Sequence, residues 1–352
     1  MRLTAAEVAA TGAWIAEWQL DTGMIPWFPG GHADPWNHVE ATMALARSGR
    51  RGDAERALRW LVSTQHADGS WCRYYLANGV EDPRRDVNVC AYVATGTWYV
   101  HLVTGDGSIL EEMWPTIDRA MDFVLGLQQP GGEVLWSREA DGTPAAFALL
   151  TGSSSVLHSL RCAIAAAAAQ GLERPEWELA AGRLAHAVVH REEYFEPKDR
   201  WAMDWYYPVL CGALCGAGAR ERFQDRWDIF VMEGLGVRCV SDQPWVTAAE
   251  TAECVMALDA CGLRFEAETM LDWTRHFRDP EGGYWTGCVH PQCVRFPGGE
   301  RTTYTAAAVL LSDHALYGND AAAGLFRGET LPAALELPEV EERGLSERPG
   351  CY

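Results

Sequence analysis

Two stretches of the chain repeat one pattern of residues. Glu40-Ala-Thr-Met-Ala-Leu-Ala-Arg-Ser-Gly49 and Glu253-Cys-Val-Met-Ala-Leu-Asp-Ala-Cys-Gly262 align without a gap, and each is followed by a second helical stretch and a Gly-containing turn that closes on Trp71 or Trp285. Each unit therefore reads as helix, short Gly turn, helix and Gly-aromatic loop. Such a repeat constrains the fold strongly, because each unit must bury its apolar faces against its neighbours.

Helical periodicity, with Gly and Pro marking the ends of helices, predicts further helix pairs along the chain. The predicted helix pairs are 37–48 with 52–65, 87–103 with 113–128, 153–170 with 175–190, 205–217 with 219–233, 247–261 with 264–277, and 302–316 with an N-terminal helix at 4–19. Alternating β-branched runs, the signal of strands, are nearly absent. We therefore predict an all-α (α/α)6 toroid of six inner and six outer helices, forming a single domain over residues 1–328. Residues 329–352 are rich in Pro and Glu and are expected to form a loosely held acidic tail.

Composition excludes several classes of function. The 352 residues include 29 Lys+Arg and 49 Asp+Glu, and the net charge of −20 argues against a nucleic-acid partner. No apolar run is long enough to predict a membrane span. Glu7 and Glu17 interrupt the N-terminal segment, so it does not resemble a secretory signal, and we predict a cytoplasmic protein with its eleven cysteines reduced. The sequence leaves the oligomeric state open.

Tryptophan is concentrated in the predicted connections from each outer helix to the next inner helix. Hairpin topology places all six connections at one end of the barrel, and every one contains at least one tryptophan. These are Trp27, Trp71, Trp136, Trp201 with Trp205, Trp245 and Trp285. Indole faces stack on the apolar faces of sugars or on cations, so the sequence predicts an aromatic mouth. Each single tryptophan is equally well explained as a plug between adjacent hairpins.

Carboxylates occupy the same connections and the first turns of the inner helices. They are Asp34, Glu40, Glu81, Asp82, Asp86, Glu133, Glu139, Asp204, Asp242, Glu250, Glu253 and Glu300. Helix capping explains Asp34, Asp86 and Asp204 about as well as function does. Glu40 and Glu253 occupy equivalent, otherwise apolar positions of inner helices, where an unpaired charge is costly. A concave, acidic and aromatic cavity that binds hydroxyls or exchanges protons follows from this pattern.

One hairpin resembles the repeat of a known enzyme class. Ala57-Leu-Arg-Trp-Leu-Val-Ser-Thr-Gln-His-Ala-Asp-Gly-Ser-Trp71 is similar to the QW repeat of terpenoid cyclases and to the related repeat of protein prenyltransferase β subunits. The chain contains neither the Asp-x-Asp-Asp proton-donor motif of class II cyclases nor a convincing prenyltransferase zinc set. The resemblance implies the scaffold rather than the chemistry.

A second resemblance, to six-hairpin glycosidases and especially the glucoamylase-like family, covers about two thirds of the chain. Trp36-Asn-His-Val-Glu40 resembles the segment ahead of the substrate-gripping Asp, and Asp82-Pro-Arg-Arg-Asp86 resembles the segment that opens the next inner helix. The stretch from Trp114 to Val124, followed by Leu135-Trp136, is similar to the helix and loop that deliver the general acid. Gly299-Glu300-Arg-Thr-Thr-Tyr-Thr-Ala-Ala-Ala308 resembles the stretch that bears the general base.

In this family the general acid directly follows the tryptophan. This chain departs from that pattern, because it has Ser137 at the corresponding position. The resemblance implies an inverting mechanism with Glu300 as base, and Glu139, or alternatively Glu133, as the acid in place of the missing residue. The substrate-binding residues predicted beside these are Trp36, His38, Glu40, Trp71, Asp86, Trp136, Asp204, Trp205, Glu250, Glu253, Trp285 and His290.

No cofactor and no metal are predicted. Cys288-Val-His290-Pro-Gln-Cys293 offers three candidate zinc ligands, yet no fourth has suitable spacing, and His290 is more simply a polar residue of the cavity. Fingerprints of serine hydrolases, kinases and dinucleotide enzymes are missing from the sequence.

Three hypotheses stay open. The first is a glycoside hydrolase acting on an oligosaccharide or glycoconjugate. The second is a terpenoid cyclase-like or prenyltransferase-like enzyme whose aromatic cavity stabilises carbocations. The third is a non-catalytic sugar-binding relative, which Ser137 makes reasonable. Opposed carboxyl groups in the cavity favour inverting hydrolysis, whereas an apolar tunnel favours an isoprenoid.

Overall fold

The protein is predominantly helical in a computed structural model that describes residues 2–335. The helices are α1 (Ala5–Glu17), α2 (Pro35–Arg47), α3 (Arg51–Thr64), α4 (Val87–Ala91), α5 (Val93–Thr104), α6 (Gly107–Leu125), α7 (Leu150–Ala169), α8 (Pro175–His190), α9 (Ala202–Leu210), α10 (Gly216–Phe230), α11 (Ala248–Ala260), α12 (Arg264–Trp273) and α13 (Thr303–Tyr317). The strands are β1 (Tyr74–Leu76), β2 (Gly79–Asp82), β3 (Arg85–Asp86), β4 (Ser137–Arg138), β5 (Val231–Met232), β6 (Gly236–Arg238), β7 (Trp245–Thr247), β8 (Trp285–Val289) and β9 (Val294–Arg301). Short 3-10 helices span Glu192–Tyr194, Thr274–Phe277 and Ala321–Gly324.

Six helices contact one another in a closed cycle. In order around the cycle they are α2, α5, α7, α9, α11 and α13, and α13 returns to α2. Each has an outer partner: α3 packs on α2, α6 on α5, α8 on α7, α10 on α9 and α12 on α11, while α1 packs between α13 and α2. These contacts agree with the helix pairs predicted from the sequence, including the pairing of the N-terminal helix with the last inner helix.

Small residues allow the inner helices to approach closely. A Cβ on Gly96 of α5 would lie 2.4 Å from a methyl carbon of Val39 on α2, so only glycine fits at this crossing. The alanine run of α7 is buried on both sides for the same reason. Outer helices such as α3 bury one face and expose the other, as expected for amphipathic helices.

The connections differ in length at the two ends of the cycle. Inner helices pass to their outer partners through short turns, such as Gly105-Asp106, where Gly105 adopts a left-handed φ of 66°. Outer helices return to the next inner helix through long connections, and these hold every strand between residues 2 and 335. The long connections therefore build one face of the molecule, above the N-termini of the inner helices.

A five-stranded antiparallel sheet in order β5-β6-β7-β8-β9 corrects the expectation that strands would be nearly absent. Two further strand pairs, β1 with β2 and β3 with β4, lie in other long connections. Sequence patterning did not reveal these strands because several are only two or three residues long, and β9 exposes residues on both faces around Gly298-Gly299. Strands of this kind lack the alternation of buried and exposed residues that identifies a half-buried strand.

The QW-like pattern is a packing device. Three glutamines at the ends of outer helices each donate their amide N–H groups to a glycine carbonyl of their own turn and to a backbone carbonyl of the next outer helix. The acceptors are Gly23 and Asp53 for Gln19, Gly69 and Thr116 for Gln65, and Gly132 and Ala180 for Gln128. Gly69 has a φ of 88°, and a Cβ there would lie 1.9 Å from the Arg119 carbonyl oxygen. The turn therefore docks directly on the neighbouring backbone.

The same turn shows that the alignment of Trp71 with Trp285 is displaced by one residue. Gly282 has a φ of 102° and approaches the backbone of α1 as Gly69 approaches that of α6. The residues two positions later, Trp71 and Tyr284, are both almost completely buried. Tyr284 is thus the structural counterpart of Trp71.

The start of the predicted acidic tail rests on the helices. The Arg161 side chain donates its Nε–H to the Pro332 carbonyl oxygen over 3.0 Å, and Leu335 approaches Gly182 of α8. Residues 336–352 lie outside the described residues. Within residues 2–335, no helix has the length and apolar character needed to cross a bilayer.

Candidate active site

A cavity of about 390 Å3 opens among the long connections, a volume typical of small-molecule sites. It is lined by Trp27, Asp34, Trp36, Asn37, Glu40, Arg73, Tyr74, Asp86, Asn88, Val89, Trp136, Leu149, Thr151, Gly152, Met203, Ala249, Glu250, Glu253 and Tyr304. Five of these residues are carboxylates, and five are tryptophan or tyrosine residues from the connections or the first helical turns beside them. The predicted acidic and aromatic cavity is therefore present, and its walls are not those of an apolar tunnel.

Asp34 is a rigidly held carboxylate at the rim of the cavity. It is the N-cap of α2, and its Oδ1 accepts the backbone N–H of Asn37 over 3.0 Å. Its Oδ2 accepts N–H groups from the Asn37 amide and the Trp27 indole, each over 2.7 Å. Burial raises the pKa of Asp34, while these three donors oppose that effect. Since each carboxylate oxygen has two acceptor positions, Oδ1 keeps one for another donor.

Glu250 lies in the first turn of α11, where burial raises its pKa and the Thr247 hydroxyl opposes the shift. Burial and the negative charges of Glu250 and Asp34 raise the pKa of Tyr304 in the first turn of α13. Tyr304 lines the cavity together with both carboxyl groups, and α13 contacts both α2 and α11. This part of the cavity wall thus carries two carboxyl groups and one phenol ring.

Glu40 and Glu253 form a deeper pair, one to two helical turns below Asp34 on α2 and Glu250 on α11. The Tyr206 and Tyr207 hydroxyls both donate to the Glu253 carboxylate, the latter over 2.7 Å. Within the described part of the chain, Glu40 accepts one hydrogen bond, from the Trp36 indole N–H over 3.1 Å. Burial raises the pKa of both residues, and repulsion from Glu253 raises that of Glu40 further. Because Glu253 has the better hydrogen-bond donors, Glu253 ionises first and Glu40 keeps its proton.

Asp86 lies beside the tryptophan rim with two guanidinium partners. The Nε atoms of Arg73 and Arg84 lie 3.2 and 3.3 Å from its carboxylate oxygens. The Arg84 guanidinium also stacks 5.1 Å from the centre of the Trp136 ring. Burial raises the pKa of Asp86 to about 7, an effect that Arg73 opposes. This cluster can accept hydrogen bonds from sugar hydroxyls while the indole face remains available for stacking.

Ser137 occupies the position that bears the acid in the glucoamylase-like family. It is buried and pairs with Asp86 through the antiparallel strands β3 and β4. The carboxylate brought to this place is therefore Asp86, from another connection. Glu139 is exposed and does not line the cavity, although its charge raises the pKa of Asp86.

The structure places six of the predicted site residues on the cavity wall. They are Trp36, Glu40, Asp86, Trp136, Glu250 and Glu253. Two inner helices, α2 and α11, supply four of them. Asp86 comes from the segment before α4, and Trp136 comes from the loop before β4. These residues remain our candidates for binding substrate.

Three other predicted residues belong to the packed core. The Trp71 indole is fully buried and donates to the Leu61 carbonyl, and the buried Trp205 donates to the Arg222 carbonyl. His38 bridges the backbone, because its Nδ1 accepts the Ile25 N–H and its Nε2 donates to the Ala57 carbonyl. Burial lowers the pKa of His38 to about 4, so the imidazole is neutral. None of the three faces a ligand.

The remaining predicted residues lie outside this cavity. Asp204 is buried and accepts hydrogen bonds from the Thr151 hydroxyl and backbone N–H. The Trp285 ring lies between the guanidinium groups of Arg295 and Arg301, at 5.4 and 5.3 Å. His290 directly follows the last residue of β8 and does not line the cavity. Glu300 lies on β9 within 3.5 Å of the Thr286 hydroxyl and does not line the cavity.

Several lining residues were not singled out from the sequence as binding residues. They are Trp27, Asp34, Asn37, Arg73, Tyr74, Asn88, Thr151 and Tyr304. Asp34 was visible as a carboxylate but has an equally good explanation as a helix cap, and here one side chain does both. Trp27 was predicted as part of the aromatic mouth but was not assigned to substrate binding. The others carry no charge pattern or motif that distinguishes them from surface or core residues.

No group of three or more His, Cys, Asp or Glu side chains in the described range 2–335 has the arrangement needed to hold a metal ion. Cys288 is buried in β8, while Cys293 lies in the turn before β9.

Comparison with known proteins gives one strong sequence match. The MMP endo-(1,4)-3-O-methyl-alpha-D-mannosidase of Mycolicibacterium hassiacum is 49% identical over 335 residues, which cover 95% of this chain and 92% of that protein. No protein-family model matches.

Solved structures with low sequence identity share the fold. A glycosidase structure superposes with a TM-score of 0.70 at 15% identity, covering 93% of this chain and 98% of that one. The GH63 mannosylglycerate hydrolase of Thermus thermophilus gives a TM-score of 0.68 at 13% identity, covering 86% and 99%. A D-mannose isomerase gives 0.67 at 11% identity, covering 88% and 96%.

Proposed function

The chain belongs to the family of the MMP endo-(1,4)-3-O-methyl-alpha-D-mannosidase, and from this premise we propose that it cleaves α-(1,4) bonds within oligosaccharides of 3-O-methylmannose, with inversion at the anomeric carbon. It is a glycoside hydrolase-like enzyme acting on oligosaccharides. The observation that carries the proposal is the pair of carboxyl groups, Asp34 and Glu250, at the rim of the cavity. The closed cycle of inner helices supports the (α/α)6 toroid as its scaffold.

The positions of the two rim carboxyl groups on the ring of helices support inversion. They belong to α2 and α11, which are not neighbours in the cycle because α13 lies between them. Packed helices are about 8–10 Å apart, so side chains that converge from next-but-one helices leave room for a water between them. Inverting glycosidases place that water between the base and the anomeric carbon, whereas retaining enzymes hold their carboxyl groups closer together.

Asp34 is assigned as the general base. Its three N–H donors stabilise the carboxylate and fix its orientation. The free acceptor position on Oδ1 can take a proton from the attacking water. As the water forms its bond to the anomeric carbon, the bond to the leaving oxygen breaks and Asp34 receives one water proton.

Glu250 is assigned as the general acid. Burial raises its pKa, and it has fewer hydrogen-bond donors than Asp34, so of the two carboxyl groups Glu250 is the one better suited to carry a proton. Its proton passes to the glycosidic oxygen as that bond breaks. Asp86 is less suited to this role because two guanidinium groups stabilise its anion. We assign Asp86 to binding sugar hydroxyls next to Trp136.

The deeper pair closes the cavity floor. A protonated Glu40 can donate one hydrogen bond to a substrate hydroxyl, and an ionised Glu253 accepts from Tyr206 and Tyr207. Trp27, Trp36, Tyr74 and Trp136 provide aromatic faces around the sugar. These side chains orient the substrate without taking part in proton transfer.

Two variants with different substrates test the assignments. Glu250→Gln removes the acid, so kcat on the natural oligosaccharide should fall at least ~100-fold, the lower range for general acid-base catalysis. Its activity on an aryl glycoside with an acidic phenol as leaving group should be much less affected, because that leaving group needs no proton. Asp34→Asn should lose activity on both substrates, since both require an activated water. NMR of the first product should show the β-anomer from the α-linkage.

The fold of each variant is checked by circular dichroism, and Asn is itself a good N-cap, so the start of α2 should persist. Glu300→Gln serves as a comparison on a carboxylate outside the cavity. Initial formation of the α-anomer would exclude inversion. Equal losses on both substrates in Glu250→Gln would exclude its role as the acid.

A further inference from the structure

One half of the cavity differs from the half that carries the rim carboxyl groups. Helices α11, α13 and α2 supply Glu250, Tyr304 and Asp34, whereas the facing elements α4, α7 and α9 supply mainly apolar side chains. On that side the wall consists of Val89, Leu149, Gly152 and Met203 together with the amide of Asn88. We call these five residues the amide wall.

Asn88 is an unpaired polar group in this apolar setting. Its side chain lines the cavity, only 8% of the residue is exposed, and its Oδ1 has no hydrogen-bond partner among residues 2–335. A buried amide oxygen without a donor is costly, and such groups in folded proteins need an explanation. The neighbouring Thr151 hydroxyl does not supply the donor, because it donates to Asp204 on the other side of the wall.

Gly152 leaves space for one methyl group next to that amide. A Cβ built on Gly152 would lie 3.6 Å from Leu149 Cβ and 3.7 Å from Asn88 Oδ1, which are ordinary van der Waals distances. Gly152 lies in the first turn of α7, and its φ is not in the left-handed region, so its backbone does not require glycine. The missing side chain therefore contributes space rather than conformation.

We propose that the amide wall is a subsite for a sugar carrying a methyl ether, in which the methyl group fills the space at Gly152 and a neighbouring hydroxyl donates to Asn88 Oδ1. This assignment rests on the proposed function. A 3-O-methyl sugar in a (1,4)-linked chain offers this combination, because its methyl ether at C3 stands beside the free hydroxyl at C2. The apolar side chains of Leu149, Val89 and Met203 favour the methyl group over the hydroxyl of an unmethylated sugar.

The expected discrimination follows from the size of the group. One additional methyl or methylene in a fitted apolar pocket is worth roughly 10- to 200-fold in specificity. We therefore expect methyl 3-O-methyl-α-D-mannopyranoside to bind the wild-type protein at least about 10-fold more tightly than methyl α-D-mannopyranoside. NMR titration measures both affinities without requiring cleavage.

Gly152→Ala tests the space directly. Its Cβ occupies the position assigned to the methyl group, so the ratio of the two affinities should fall to about 2 or less. Alanine favours a helix more than glycine does, so the thermal midpoint should not decrease. Gly52→Ala in α3 is the matched control, because a Cβ there meets no atom within 4 Å, and its ratio should equal that of the wild type.

Asn88→Leu tests the amide separately. Loss of the acceptor should weaken both sugars about equally, since both carry the C2 hydroxyl, and should leave their ratio near the wild-type value. The subsite is overturned if the wild-type protein binds the 3-O-methyl sugar no more tightly than the unmethylated sugar. A lack of detectable binding of the 3-O-methyl sugar also overturns it. Equal weakening of both sugars by Gly152→Ala also overturns it. A clear preference without any cleavage of the oligosaccharide would instead contradict only the proposed hydrolysis.

Discussion

The buried pair of Glu40 and Glu253 should make the protein less stable as the pH rises, and Glu253→Gln should remove much of that dependence. Both residues are at least 93% buried, and only Glu253 has good hydrogen-bond donors. Glutamine has the shape of a protonated glutamate but cannot ionise. The variant therefore tests the cost of placing a charge at this position.

The magnitude follows from the shift in pKa. Burial raises the pKa of Glu253 from 4.5 to about 7, so the folded protein holds this proton to a higher pH than the unfolded chain does. The stabilisation is complete below about pH 4.5 and is lost as the pH rises through 7. A difference of about 2.5 pH units at 1.36 kcal/mol per unit corresponds to about 3 kcal/mol.

Thermal unfolding at pH 5 and pH 8 measures this effect. With an unfolding entropy of about 2.1 cal/mol/K per residue, about 3 kcal/mol in a chain of this length corresponds to about 4 °C. Glu253→Gln should match the wild type near pH 5 and should unfold about 4 °C higher at pH 8. Glu221→Gln on the exposed side of α10 is the control and should change neither midpoint.

An equal difference between variant and wild type at both pH values would refute this reasoning, because the cost would then not come from ionisation. Glu40→Gln gives an independent check. The folded protein holds the Glu40 proton to a higher pH than the unfolded chain does, so this variant removes a further pH dependence and should also raise the midpoint at pH 8 more than at pH 5.

Three further outcomes separate packing from substrate binding. Trp71→Phe should lower the free energy of unfolding by about 1–3 kcal/mol in urea denaturation and leave KM unchanged, because the indole fills a gap and donates to the Leu61 carbonyl; a raised KM at normal stability would contradict its place in the core. Trp136→Ala should raise KM about 10-fold with a smaller loss of stability, since its ring lines the cavity and aromatic stacking on a ligand is worth about 1 kcal/mol; an unchanged KM in steady-state kinetics would remove it from the site. Glu300→Gln should lower kcat much less than Glu250→Gln does, because only Glu250 lines the cavity; the opposite order would return the catalytic role to Glu300.

The pairing of helices could be predicted because it depends on patterns within short, consecutive stretches of the sequence. Apolar positions repeating every three or four residues identify each helix, and Gly or Pro marks its ends, so the partners of α2 and α11 were accessible without a structure. The strands were not accessible, because β5 to β9 are held by pairing between distant connections rather than by a pattern within each segment.

The sequence by itself also indicated that one end of the protein would be acidic and aromatic, since hairpin topology brings six similar connections together. Only the tertiary structure decided which side chains meet there. Trp71 and His38 turn into the core, Glu139 and Glu300 stay outside the cavity, and Asp34 serves both as a helix cap and as a cavity carboxylate. The physical reason is that helical periodicity is a local property, whereas the direction of a side chain relative to the axis of the ring depends on how neighbouring helices and connections pack against it.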